Sequence, residues 1–336
     1  MKFFNHSMQQ SASKTPVVFG ENGFLKGRLY IAVKWLLMIA AYAFLVYKLI
    51  VFDGYADFAA YWETMQLSRF GWLSAVFLLL PVNWMLEAVK WRLLVSKIQQ
   101  IGLTEALKAI LAGVSTGFFT PNHLGEIVGR IVCLPEGKRK QGFSLSVLSA
   151  LTQSIVKTIF GIPALILFFV QTQKAITGFH LYIIIVALCL SALTAIYFLT
   201  PVIAVRFSGL KTGRKLSGFI SFLGEYSFRD LFVTLLLTML RYLVFCFQFY
   251  FMLRFFGVDL DLYQAFPAIA SEYLLLMFTP SFAFSEPALR GSYAVFFIGA
   301  YSGLTVNIML AGMGIWVVNM AIVMIAGSVV VVKSKW

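Results

Sequence analysis

Phe119-Thr120-Pro121-Asn122-His123-Leu124-Gly125-Glu126-Ile127-Val128-Gly129-Arg130 interrupts an apolar run with a proline, a short polar break and a Glu/Arg pair four residues apart. The pattern returns 159 residues later in Phe278-Thr279-Pro280, and after one inserted residue Glu286 and Arg290 complete it. The match also extends upstream, where Glu105-Ala106-Leu107-Lys108-Ala109-Ile110 aligns with Gln264-Ala265-Phe266-Pro267-Ala268-Ile269. A proline inside an apolar stretch stops a helix, because it lacks the amide proton and clashes with the preceding turn. Pro121 and Pro280 therefore mark two helix breaks in otherwise apolar surroundings.

Those surroundings place the chain in the membrane class. Apolar residues make up 60% of the 336 residues and charged ones only 12%, against about half and a quarter in a soluble domain. The net charge of +13 does not point to nucleic acid. The Lys and Arg residues gather in short segments between apolar runs, as cytoplasmic loops facing anionic headgroups do. The three cysteines, Cys133, Cys189 and Cys246, form no CxxC pair or Cys/His cluster, so neither a disulfide framework nor a metal site is expected. No cofactor is expected either: GxSxG, HExxH, Walker and Rossmann patterns are all missing from the sequence.

A helix needs about 20 apolar residues to cross the hydrocarbon core. Six segments qualify: Leu29–Phe52, Trp72–Val95, Phe143–Val170, His180–Val205, Leu231–Leu253 and Leu304–Val332. The apolar stretches Ala106–Thr120 and Ala265–Tyr301 are too short or too broken to cross, and are expected to turn back as re-entrant hairpins, near 105–135 and 263–302. Loop charge puts Lys26, Lys97, Lys138–Lys140, Arg206, Lys211 and Lys333 on one side, so both termini are expected in the cytoplasm. The expected fold is all-α and polytopic, with about six transmembrane helices and two re-entrant hairpins in an inverted-topology repeat. Residues 1–27 form a cytoplasmic N-terminal segment, 28–173 the first membrane repeat and 174–336 the second. Three spans lie between the hairpins, so the second hairpin enters from the opposite face, as in many secondary transporters.

A charge at bilayer depth is costly and is usually paired and functional. Glu126 and Arg130, and likewise Glu286 and Arg290, are spaced to meet on one helical face. One reading makes them structural pairs that hold the hairpin tips. The other gives Arg130 and Arg290 an anionic headgroup, whose phosphate the planar guanidinium fits, with the glutamates orienting the arginines or carrying a proton. Asn122 and His123 stand at the first break, where a histidine titrates near neutral pH or simply hydrogen-bonds. Lys157 and Arg241 interrupt the third and fifth spans, and each is expected to contact lipid phosphate or to pair with Glu126, Glu272 or Glu286. Glu87, Lys90 and Arg92 close the second span and are expected at the interface. Gly113/Gly117 and Gly125/Gly129 allow close helix approach, within one chain or in a homo-oligomer.

The run Trp91-Arg92-Leu93-Leu94, then Phe118-Phe119-Thr120-Pro121, Gly125-Glu126 and Arg130, resembles the lysylphosphatidylglycerol synthase transmembrane-region family, also called flippase-like domain proteins. Thr279-Pro280, Ser285-Glu286 and Arg290 resemble that family's second motif, although the stretch has fewer glycines. The resemblance covers roughly residues 25 to 332. It implies a bacterial inner-membrane protein that moves a phospholipid or lipid-linked intermediate, of anionic phospholipid or polyprenyl-phosphate type, between leaflets. It also implies a translocation module without the soluble synthase domain. Envelope-biosynthesis enzymes are expected as candidate partners. Two other classes compete: a membrane-embedded lipid transferase or phosphatase using His123 or Glu126 as base, and a scaffold for an envelope-synthesis complex.

Overall fold

The computed structural model describes residues 55–172, 179–208, 221–283 and 285–333, and among them the chain is helical with no strand. The predicted first span, Leu29–Phe52, and the N-terminal segment lie outside the described residues. The principal helices are α1 (Tyr55–Thr64), α2 (Phe70–Val95), α3 (Leu103–Phe118), α4 (Gly125–Val132) and α5 (Arg139–Gln171). They continue with α6 (Phe179–Phe198), α7 (Thr200–Ser208), α8 (Phe228–Phe255), α9 (Leu262–Phe278) and α10 (Glu286–Ile298). The last predicted span comprises α11 (Thr305–Trp316), a π-helical turn (Val317–Ala321) and α12 (Ile322–Lys333).

Four helical stretches among the described residues are long and apolar enough to cross a membrane: Leu67–Val95, Glu136–Gln171, Phe228–Phe255 and Thr305–Val330. The bent pair α6–α7 makes a fifth if its halves count as one span, with a bend of 58° where Pro201 enters the second half. The predicted spans from Trp72 to Val332 thus fall on helices. The outer surfaces carry large apolar side chains, among them Leu78, Ile184, Leu188 and Val329, which suits contact with lipid. The chain is an all-α, multi-pass membrane protein.

The two interrupted stretches fold as helix–break–helix. At 16 and 17 residues, α3 and α9 span roughly 24–26 Å, short of the ~30 Å hydrocarbon core. Small residues seat α4 against α3. A Cβ on Gly129 would lie 2.6 Å from Ala112 O, and one on Gly113 3.0 Å from Arg130 Cγ, so glycine at both positions sets the crossing distance. Thr116 Oγ1 donates across the crossing to Gly125 O (2.8 Å).

Packing around the hairpins follows one plan twice. α3–α4 lies against α12, while α9–α10 lies against α5; α4 also packs on α5, and α10 on α11. Between them α2 runs along α8, and their facing sides supply the fully buried Trp91, Leu94, Phe249 and Leu253. The hairpins are thereby held against a central helix pair, with their tips at its polar positions.

Candidate functional site: a charged centre at two hairpin tips

Each tip is a short irregular stretch with its polar backbone satisfied locally. After α3, Thr120 is extended and Pro121–His123 forms a single 3₁₀ turn. Asn122 (φ 47°) and His123 (φ 55°) are both left-handed, a region uncommon outside glycine but one in which Asn and His are enriched. Thr120 Oγ1 accepts from Gly125 N (2.7 Å) and donates to Gly117 O (2.9 Å), which closes the loop. In the second tip, Ser285 Oγ accepts from Phe282 N (3.1 Å) before α10 starts at Glu286.

The two tips touch. Asn122 N donates to Ser281 O (2.8 Å), and Ser281 N donates to Asn122 Oδ1 (2.8 Å). His123 on the first tip reaches Glu286 on the second, Nε2 to Oε2 at 3.0 Å. Since an ionised carboxylate only accepts, Nε2 is the protonated nitrogen of that contact.

Both predicted Glu/Arg pairs form. Arg130 Nη2 donates to Glu126 Oε2 (3.1 Å), while Arg290 donates to Glu286 Oε1 from Nε (3.2 Å) and Nη2 (2.8 Å). Trp316 Nε1 also donates to Glu286 Oε2 (3.0 Å). The Arg290 guanidinium stands 5.7 Å over the Tyr273 ring.

The structure corrects the reading of Glu87 and Lys90. Both were expected at the interface, yet both are completely buried; only Arg92 is exposed. The reason is tertiary: α8 and the first hairpin cover the face of α2 that carries them. Glu87 is the hub of the first network. Its Oε1 accepts from Arg130 Nη1 (2.9 Å) and Gln153 Nε2 (3.4 Å). Its Oε2 accepts from Arg241 Nη1 (3.0 Å) and forms an ion pair with Lys90 Nζ (2.8 Å). Arg241 therefore pairs with Glu87 rather than with Glu126, Glu272 or Glu286. It also donates from Nε to Asn83 Oδ1 (2.8 Å), and Asn83 Nδ2 donates to Asn319 Oδ1 (2.9 Å) in the π-helical turn. The Arg241 guanidinium lies over the rings of Trp84 and Phe245, at 5.2 and 5.0 Å.

Two expected partners stay apart. Lys157 has no carboxylate within 4.0 Å among the described residues. Glu272 is completely buried, and neither of its oxygens has a hydrogen-bond partner. Sequence reasoning missed Glu87, Asn83, Asn319 and Trp316 as members of the centre. An intramembrane Glu and two Asn inside apolar runs were the available signals for the first three.

Altogether the centre holds five cations, Lys90, Arg130, Lys157, Arg241 and Arg290, and four carboxylates, Glu87, Glu126, Glu272 and Glu286. Access is graded. The Glu87 side chain is 0% exposed, whereas those of Arg290, His123 and Glu126 are 19%, 20% and 27% exposed. Leu124, next to His123 in the chain, and Phe278, next to Thr279, carry exposed apolar side chains.

The family model for the lysylphosphatidylglycerol synthase TM region matches residues 33–327. No curated protein and no solved structure matches the sequence. The family match takes in both hairpins, the charged centre and the helices that hold them, and the chain belongs to the lysylphosphatidylglycerol synthase transmembrane-region family.

Proposed function

We propose that the protein is a flippase-like lipid transporter, moving a phosphate-bearing lipid between the leaflets of a bacterial cytoplasmic membrane. The substrate class is an anionic phospholipid or a polyprenyl-phosphate-linked intermediate. The observation that carries this reading is the charged centre shared by two touching hairpin tips, with its surplus of cations and an apolar rim. Guanidinium groups match phosphate oxygens in pairs. Arg290, with Glu126 and His123 beside it, is the reachable part of the centre, while Arg130 and Arg241 are held behind it by Glu87. The headgroup sits on Arg290, with Arg130 behind it, and the acyl chains run over Leu124 and Phe278. Read as an inverted repeat, the two hairpins give each leaflet its own gate around one fixed site. Family membership supports a role in lipid synthesis or flipping.

The test is reconstitution of the full chain into vesicles containing tail-labelled fluorescent phosphatidylglycerol, with an impermeant quencher reporting leaflet exchange. Accelerated exchange is expected for the wild type and its loss for Arg130→Ala and Arg290→Ala. Unchanged exchange in both correctly inserted variants would overturn the assignment of these arginines. Release of phosphate or headgroup by the purified protein would replace the transport reading with an enzymatic one.

A further inference from the structure

Inside the charged centre every carboxylate except one is matched. Glu87 meets three cations, Glu126 meets Arg130, and Glu286 meets Arg290 and His123. Glu272 meets none: no Lys, Arg or His nitrogen among the described residues lies within 4.0 Å, and both oxygens are sealed from solvent without a hydrogen bond. An ionised carboxylate in such surroundings has lost its hydration and gained nothing in exchange, whereas the neutral acid carries no net charge to solvate.

The helices that pack on α9 carry these groups. α8 supplies Tyr242, whose hydroxyl is also buried without a partner, and the buried Cys246. α9 itself adds Tyr273, whose hydroxyl donates to Phe245 O (3.3 Å). α10 brings Arg290 and Glu286, and α5 brings Lys157. Of the cations, Arg290 is placed close by, its guanidinium 5.7 Å over the ring of Tyr273, the residue after Glu272. The internal repeat explains why. The offset of 159 that aligns the hairpins places Glu272 on Gly113, and Gly113 sits directly against the side chain of Arg130, the counterpart of Arg290. The second hairpin thus carries an acid where the first has bare backbone beside its arginine. Arg290 commits Nε and Nη2 to Glu286.

We propose that Glu272 is a proton-binding site: it holds a proton in the arrangement seen here and, on releasing it, competes with Glu286 for Arg290. Proton occupancy then sets which carboxylate the arginine of the second hairpin engages. The proposal concerns the chemistry of one side chain and stands whether or not the protein moves lipid.

The experiment uses the purified full chain in lipid nanodiscs and compares the infrared spectra of wild type and Glu272→Gln at neutral pH. The glutamine matches the neutral acid in size and polarity. A carboxylic-acid C=O band present in the wild type and lost in the variant is expected, and Glu272→Asp should shift that band rather than abolish it. Dicyclohexylcarbodiimide, which modifies protonated carboxyls in apolar surroundings, is expected to label Glu272 in preference to Glu87 and Glu286 when peptides are read by mass spectrometry. A wild-type-minus-variant spectrum that contains only ionised-carboxylate bands would overturn the proposal, as would labelling of Glu87 or Glu286 in place of Glu272.

Discussion

Asn122 and Ser281 stand 159 residues apart in the chain and are joined by two hydrogen bonds, each 2.8 Å, between the tips of the two hairpins. That separation equals the offset that aligns the hairpins in sequence, so residues at matching positions of the two motifs meet each other.

The pair yields the first prediction. Asn122→Gly retains the left-handed backbone (φ 47°) and the bond from its amide, but removes the acceptor for Ser281 N. A loss of about 1 kcal/mol is expected, the usual worth of one hydrogen bond. Asn122→Val adds a β-branched side chain in the left-handed region, and about 1–3 kcal/mol more is expected from the strain. Thermal unfolding in detergent should rank the proteins wild type, Gly, Val; equal midpoints would mean that the tips do not depend on this contact.

The glycines of the first hairpin are expected to tolerate no side chain. Gly129→Ala would press its Cβ to 2.6 Å from Ala112 O, whereas Gly137 has nothing within 4 Å of the same position. Forcing α3 and α4 apart should cost about 1–3 kcal/mol, and Gly137→Ala should lie within about 0.5 kcal/mol of the wild type. Detergent unfolding midpoints of the two variants decide it. A Gly129→Ala protein as stable as the Gly137→Ala one would contradict the close crossing.

Glu87 joins Arg130 of the first hairpin to Arg241 of α8, so its removal leaves the buried Lys90 and Arg241 without a carboxylate and Arg130 with Glu126 alone. Glu87→Gln is expected to cost about 3–5 kcal/mol, the range for breaking a buried pair from one side. Combining it with Arg241→Gln should cost clearly less than the sum of the two single changes, because neutral groups then face each other. Strict additivity in the double-mutant cycle would show that the two residues do not share a network.

How much of this centre the sequence discloses depends on how local each feature is. Pro121 and Pro280 mark their breaks because proline ends a helix wherever it falls. The Glu126–Arg130 and Glu286–Arg290 pairs follow from helical spacing alone. Glu87 and Lys90 were different, since charges close to the end of an apolar run also suit an interface. Their burial depends on α8 and the first hairpin closing over α2, contacts made far along the chain. Arg241 was legible as an intramembrane charge, but its choice of Glu87 over Glu126, Glu272 or Glu286 is set by which helix faces which. The π-helical turn that presents Asn319 to Asn83 has no local composition that announces it.

Away from the membrane-embedded centre, Asp259 clamps the start of α2 to the end of α8. It accepts from Arg69 Nη2 at 2.9 Å and Nη1 at 3.3 Å, and from Arg254 Nη1 at 3.0 Å. The Arg69 hydrogen bonds, offset in part by desolvation and helped by Arg254, hold its carboxyl below the usual aspartate value. A carboxyl lowered in the folded state contributes stability above its unfolded pKa of about 3.9, and loses it as pH falls through the folded value. Because the Asp259 side chain is 49% exposed, solvent screening limits the contribution to under about 1 kcal/mol. Asp259→Asn is therefore expected to unfold slightly earlier than wild type at pH 7, and the difference should shrink once the pH drops below the aspartate range. Added salt should shrink it too, since the pair faces water. Unfolding midpoints across pH and ionic strength test both trends, and a difference that grows on acidification would reverse the sign argued for Asp259.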